Sequence, residues 1–221
     1  MEHLWILYPH EEPAVPPARV GELREIIAAA APGAVFIDRP DQIDREQGSR
    51  VLFLIDLPED GINPAYYRLL AEIRRQPGIL RGLTGAILVN GRTEFHTKSI
   101  ACECVLAANR AGCAFIGRPL AEGTGSLNNY LVQAKNAGVS VEEAYRLAAG
   151  DLTQRLAAFS FPQKEEPKLL VLHASHLRTS NTWNFWQLVK PHLEGIRIQE
   201  INLRNGEIHD CSGCPYTMCM H

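Results

Sequence analysis

The chain has 221 residues, 46% of them hydrophobic and 21% charged, which excludes a disordered, collagen-like or coiled-coil protein. Its 22 Lys and Arg against 25 Asp and Glu leave a formal net charge of −3, so no broad basic surface is offered to nucleic acid or anionic lipid. The start, Met1-Glu-His-Leu-Trp-Ile-Leu-Tyr-Pro-His10, carries only a short apolar run. That is too short for a signal peptide or for the ~20 apolar residues of a membrane span. The expectation is a cytoplasmic protein with neither nucleic-acid nor membrane partners. Six Cys in such a compartment are thiols, metal ligands or redox groups rather than a disulfide scaffold.

Short apolar runs alternate with helical runs from the first residues. Residues 4–8 read as a buried strand and residues 18–31 as a helix, with Val20, Leu23, Ile26 and Ile27 at helical spacing. Residues 34–37 are a second strand and residues 51–55, Val-Leu-Phe-Leu-Ile, a third. Asn63-Pro64 opens a helix in the order N-cap then Pro, running to about Arg75. A fourth strand follows at 85–89, a helix at 98–110 and a fifth strand at 113–116. Near-continuous apolar strands separated by helices predict a parallel sheet covered on both faces, in a doubly wound domain.

Ser140-Val-Glu-Glu143 is a capping box and starts a helix that reaches about Phe159. Polar Ser160-Phe-Pro-Gln-Lys-Glu-Glu-Pro-Lys168, interrupted twice by Pro, reads as a linker. The expected organisation is a domain over 1–159, a linker over 160–167 and a second unit over 168–221. In that unit the pattern begins again, with a strand at 168–173, a polar loop, a helix at 182–189, a strand at 196–203 and a Cys-rich end.

The loop of the second unit carries the chemistry. Strand, then a loop rich in Ser, Thr and Asn, then a helix start, is a recipe for holding phosphate. Unpaired N–H groups and the helix dipole supply positive potential, and hydroxyls add hydrogen bonds. The P-loop glycines and Lys are missing, as is GxGxxG. Ser180-Asn181-Thr182 equally reads as a helix cap alone. The segment Ala174-Ser175-His176-Leu177-Arg178-Thr179-Ser180-Asn181-Thr182 resembles the first loop of the flavodoxin-like NADPH-dependent FMN reductases in length and order. It departs from them at Ala174, where Gly is usual, and at Leu177, where Arg is frequent. The resemblance implies FMN as cofactor, its phosphate held by Ser175, Ser180, Asn181 and Thr182, with Arg178 adding charge. It also implies a flavodoxin-like doubly wound sheet, order 2-1-3-4-5, in the first domain and a partial second flavodoxin-like unit.

Cys211-Ser-Gly-Cys214-Pro-Tyr-Thr-Met-Cys219-Met-His221 resembles the Cys-bearing segment of the same family, including its iron–sulfur flavoproteins. Cys211, Cys214 and Cys219 supply three ligands of a [4Fe–4S] cluster and lack the fourth. With His221 they make a Cys₃His zinc set, and metal-free thiols are the third reading.

In the first domain, Tyr8-Pro-His-Glu-Glu-Pro13 ends the first strand with two negative charges and no Ser, Thr or Gly, so FMN is not expected there in the usual way. Residues 90–97 and 122–126 are polar loops at strand ends, near Arg118, and read as ordinary turns or as an anion-holding edge. Cys102, Cys104 and Cys113 read as small core residues. The functional expectation is an NAD(P)H-dependent FMN oxidoreductase or electron-transfer flavoprotein with a flavin, quinone or protein acceptor, forming a homo-oligomer. The alternative is a non-catalytic interaction module with a vestigial second unit. No catalytic acid or base stands out. Residues 168–221 predict two strands and one helix, too little to surround a flavin, so the second unit is expected to be completed by a longer chain or by another subunit.

Overall fold

The computed structural model describes residues 3–11, 17–161, 167–176 and 179–208. The chain divides after Ser160 into two compact units.

The first unit is a flavodoxin-like α/β fold. Its elements are β1 (Leu4–Leu7), α1 (Ala18–Ala30), β2 (Ala34–Ile37), β3 (Arg50–Leu57), α2 (Pro64–Arg75), β4 (Thr84–Gly91), α3 (Thr97–Arg110), β5 (Ala114–Gly123), α4 (Leu131–Ala137) and α5 (Val141–Ala158). The five strands form one sheet in the order β2-β1-β3-β4-β5, and every pairing is parallel. That order reverses between β1 and β3, the switch point at which doubly wound folds open a crevice.

Alternation along each strand builds two cores. Leu4 and Ile6 of β1, with Leu52 and Leu54 of β3, face Val20, Leu23 and Ile27 of α1 and Leu152 and Leu156 of α5. Trp5 and Leu7, with Val51, Phe53 and Ile55, face Leu69, Leu70 and Ile73 of α2 and the buried side of α3. Period-2 side chains meet helix faces on both sides, so the central strands read as unbroken apolar runs.

The helix starts follow their sequence signals. Asn63 caps α2 by accepting from the Tyr66 amide at 2.9 Å, with Pro64 in the first turn. Ser140 caps α5 by accepting from the Glu143 amide at 3.1 Å.

Three sequence readings are corrected. The fifth strand does not end at residue 116 but continues to Gly123 beyond a register irregularity. There Arg118 adopts φ 50° and the Arg155 guanidinium donates to the carbonyls of Gly117 and Arg118. An edge strand tolerates Pro119, whose missing N–H costs nothing on the unpaired side. Arg118 therefore lies within the strand rather than at the polar loops of its carboxyl end. Cys102 is exposed, whereas Cys104 and Cys113 are buried. Two-residue spacing on a helix turns one thiol outward when the other faces the sheet. Helix α4 was not anticipated, since seven residues are too few to show a helical period.

The second unit comprises β6 (Lys168–His173), α6 (Asn181–Val189) and β7 (Arg197–Asn202). The strands pair in parallel, Lys168 opposite Arg197 through His173 opposite Asn202. No helix among the described residues is long and apolar enough to cross a membrane.

Candidate functional site

The expected phosphate loop joins β6 to α6. His176 turns the chain, its carbonyl accepting from the amides of Thr179 (3.3 Å) and Ser180 (3.0 Å). Ser180 then caps α6, its Oγ accepting from the Trp183 amide at 3.2 Å. The capping and phosphate readings of Ser180 are compatible, because the hydroxyl that accepts from an amide keeps its own O–H to donate.

Ser175 and Thr182, seven positions apart, line one hollow of about 320 Å³ together with His173, Trp183, Phe185 and Trp186. His173 packs against Trp183 with ring centroids 4.3 Å apart. Asn181 and Thr182 form the exposed first turn of α6, where helix amides lack intrahelical partners and favour an anion. On the far side, Glu200 of β7 accepts from the Trp186 indole at 2.7 Å and pairs with Lys190 at 3.0 Å. The Trp186 hydrogen bond, then Lys190, hold its carboxyl below the usual carboxylate range. That anion anchors α6 to β7.

Of the residues carried over from the loop resemblance, the structure thus brings Ser175 and Thr182 together, uses Ser180 as the cap and places Asn181 in the first turn. Arg178 lies outside the described residues, as do Cys211, Cys214, Cys219 and His221. Among the described residues no group of three or more metal-ligating side chains occurs.

A second polar constellation, missed by the sequence reading, lies at the carboxyl edge of the first unit's sheet. Asp56 of β3 and Asn90 of β4 are buried, 7% and 2% exposed. Asn90 donates through Nδ2 to Asp56 Oδ1 at 2.7 Å, and Arg92 donates to Asp56 Oδ2 at 3.2 Å. Arg19 reaches across from α1 to donate to the carbonyls of Thr124 and Gly125, both at 3.0 Å, and to Asn90 Oδ1 at 3.5 Å. Glu94 accepts from the Ser126 amide at 2.7 Å, and hydrogen bonding from Ser126, its hydroxyl first and then its amide, holds the Glu94 carboxyl below the usual range.

The Gly123-Thr-Gly125 segment is a turn that needs its glycines. A Cβ at Gly125 would lie 2.5 Å from the Arg92 carbonyl oxygen, and one at Gly123 would lie 2.7 Å from the Tyr145 ring. Tyr8, at the end of β1, has its hydroxyl pushed above the usual tyrosine range by burial and then by Asp56, against the opposing pull of Arg24 and Arg92. The two loops read as turns or as an anion edge are therefore one hydrogen-bonded network around a buried carboxylate. The signal available in the sequence was Asp56 itself, an acid closing the run Val51-Leu-Phe-Leu-Ile55.

No protein-family model and no curated protein matches the chain. Solved structures similar to the chain include two flavodoxins and RosB. RosB with a bound intermediate, 8-demethyl-8-formylriboflavin-5'-phosphate, is 9% identical with a TM-score of 0.48, over 98% of this chain and 97% of that one. A short-chain flavodoxin associated with a non-canonical PDU bacterial microcompartment is 10% identical with a TM-score of 0.47, over 71% and 97%. Oxidised Flavodoxin 2 from Bacillus cereus is 10% identical with a TM-score of 0.47, over 69% and 99%. Likeness at these identities is one of fold alone, and the fold stands on the strand order.

Proposed function

We propose that this chain is an FMN-binding, flavodoxin-like oxidoreductase whose second unit holds the phosphate of the cofactor. The observation that carries this reading is the loop at the carboxyl end of β6, which sets Ser175 and Thr182 on one hollow at the start of α6. Two hydroxyls and a helix N-terminus are a donor set that suits a phosphate.

The residues fit the phosphate end of the cofactor better than its ring. Trp183 and His173 pack together as one aromatic wall of the hollow, which Phe185 and Trp186 also line. Leu170 and Leu172 of β6 and Phe185 and Leu188 of α6 are between 54% and 70% exposed. That surface suits a partner, and we assign a second copy of the chain to it, in a homo-oligomer. When bound, the flavin supplies hydride acceptance from NAD(P)H and electron delivery to an acceptor. The protein's part is to fix the phosphate, orient the ring and exclude water. Cys211, Cys214 and Cys219 are assigned to a [4Fe–4S] cluster in the same reading, on their resemblance alone.

The test is to purify the full chain and supply FMN. Yellow protein that retains flavin through gel filtration and is bleached by NADPH or NADH is the expected result. Colourless protein that takes up no FMN at about 100 μM would sink the proposal and favour the interaction module. A brown, air-sensitive preparation supports the cluster, and stoichiometric zinc rejects it.

A further inference from the structure

None of the described residues of the second unit is buried. A strand pair under one helix gains little from the hydrophobic effect in that state, and parallel strands are ordinarily covered on both sides. Among the described residues β6 pairs only with β7. The Arg197 amide donates to the Pro167 carbonyl at 2.9 Å, and the Leu203 amide to the His173 carbonyl at 2.7 Å. That phase turns the backbone groups of the odd-numbered β6 residues towards β7. The N–H and C=O groups of Lys168, Leu170 and Leu172 therefore point to the opposite edge.

That edge has the composition of an interior strand. β6 carries no charge between Lys168 and His173, whereas β7 carries Arg197 and Glu200. Charged side chains blunt an edge against further pairing, and the run Leu169-Leu-Val-Leu172 has none. The hollow of about 320 Å³ lies at the same edge. Val171 and Leu172 point to opposite faces of the strand, yet both line it, and no residue of β7 does. Beside it on α6, Phe185 and Leu188 are 68% and 70% exposed.

A second copy of the chain fits this edge. Antiparallel pairing about a two-fold axis at Val171 sets Leu170 of each copy opposite Leu172 of the other. Both carry outward-pointing backbone groups, so they form a hydrogen-bonded pair, and Val171 meets Val171 in a non-hydrogen-bonded one. Lys168 falls opposite Ala174, so no like charges meet over residues 168–174. Moving the axis to Leu170 sets Lys168 opposite Leu172 and is the poorer register. A ladder this short covers less than the about 800 Å² per partner of a standard interface. A bare strand would stop there. A two-fold axis perpendicular to the sheet keeps both α6 helices on one face, so a second copy also brings its own α6 towards Phe185 and Leu188.

We propose that β6 is the dimerisation strand of this protein, pairing antiparallel with β6 of a second copy about Val171 in a continuous sheet β7-β6-β6-β7. This rests on the assignment of a second copy to the apolar surface of the second unit, and not on the flavin.

Val171→Cys in the full chain tests the pairing, by air oxidation and non-reducing peptide mapping of a 171–171 disulfide. A non-hydrogen-bonded antiparallel pair has its Cα atoms about 4.5 Å apart, within disulfide reach. Leu169→Cys is the control, because the two copies of residue 169 lie four residues out of register, roughly 13 Å along the strand. Cross-linking at 171 and not at 169 is the expected result. Cross-linking at neither, or at 169 as readily as at 171, overturns the proposal. Sedimentation equilibrium gives a second reading. Leu170→Lys puts a charge opposite Leu172 and should weaken the dimer about tenfold or more, while Leu106→Lys, on α3 of the first unit, should leave it unchanged. A dimer indifferent to Leu170→Lys overturns the strand pairing and leaves a homo-oligomer standing. A wild-type chain that stays monomeric at about 100 μM overturns both, whereas uptake of FMN is read separately and bears on the flavin alone.

Discussion

Asp56→Ala probes the network that closes the carboxyl edge of the first unit. The substitution removes the acceptor of the 2.7 Å bond from the Asn90 amide, on a residue 2% exposed. A buried donor left without a partner costs about 1–3 kcal/mol. The lost pair with Arg92 adds less, because that side chain is 42% exposed and such pairs contribute roughly 0–1 kcal/mol. A destabilisation of about 2–3 kcal/mol is expected. Asp56→Asn keeps an oxygen facing Asn90 and should cost under about 1 kcal/mol. Urea unfolding of the full chain followed by far-UV circular dichroism reads both, in the transition of the first unit. Equal destabilisation by the two variants, or less than about 0.5 kcal/mol for Asp56→Ala, would refute the view that the Asn90–Asp56 bond holds this edge.

Further outcomes follow from the same structure. Ser180→Ala removes the side-chain cap of α6 and should cost about 1 kcal/mol of local stability, read as faster amide exchange at Trp183; unchanged exchange contradicts the cap. Cys102 is exposed and should be alkylated in the native protein, whereas buried Cys104 and Cys113 should react only after unfolding, as mapped by peptide mass spectrometry. Burial pushes the Cys113 thiol and the Tyr130 hydroxyl each up to about 12. The unfolded chain ionises these groups first, so stability should be level below about pH 8.5 and fall from there towards pH 12, by up to ~1.4 kcal/mol per pH unit for each group. A flat stability profile between pH 8 and 11 contradicts that burial.

The sequence made local order legible where a single residue type dictates a backbone state. Asn63-Pro64 and Ser140 marked two helix starts because capping is decided within four residues. The apolar runs of β1, β2, β3 and β6 were legible because burial on both faces, or pairing beside a helix, leaves a continuous signal. Its failures have equally specific causes. Strand β5 was cut short at Gly117-Arg-Pro119, residues that break an interior strand and are admissible at an edge. Whether a strand is an edge is a tertiary fact. The Asp56–Asn90–Arg92–Arg19 network joins positions up to 73 residues apart, from Arg19 to Arg92, and no local period brings them together. In the second unit, motif order did locate the loop, and only the geometry divided its residues between capping the helix and lining the hollow.

The measurement that bears most directly on the flavin reading is the affinity of the full chain for FMN, compared with that of a Ser175→Ala, Thr182→Ala double variant. Both side chains line the hollow and neither caps the helix, so the variant should keep its fold while losing about tenfold or more in affinity. The wild-type chain should quench FMN fluorescence saturably, and riboflavin, which lacks the phosphate, should bind both proteins equally weakly. FMN binding that is indifferent to the two hydroxyls, or riboflavin bound as tightly as FMN, would contradict the account.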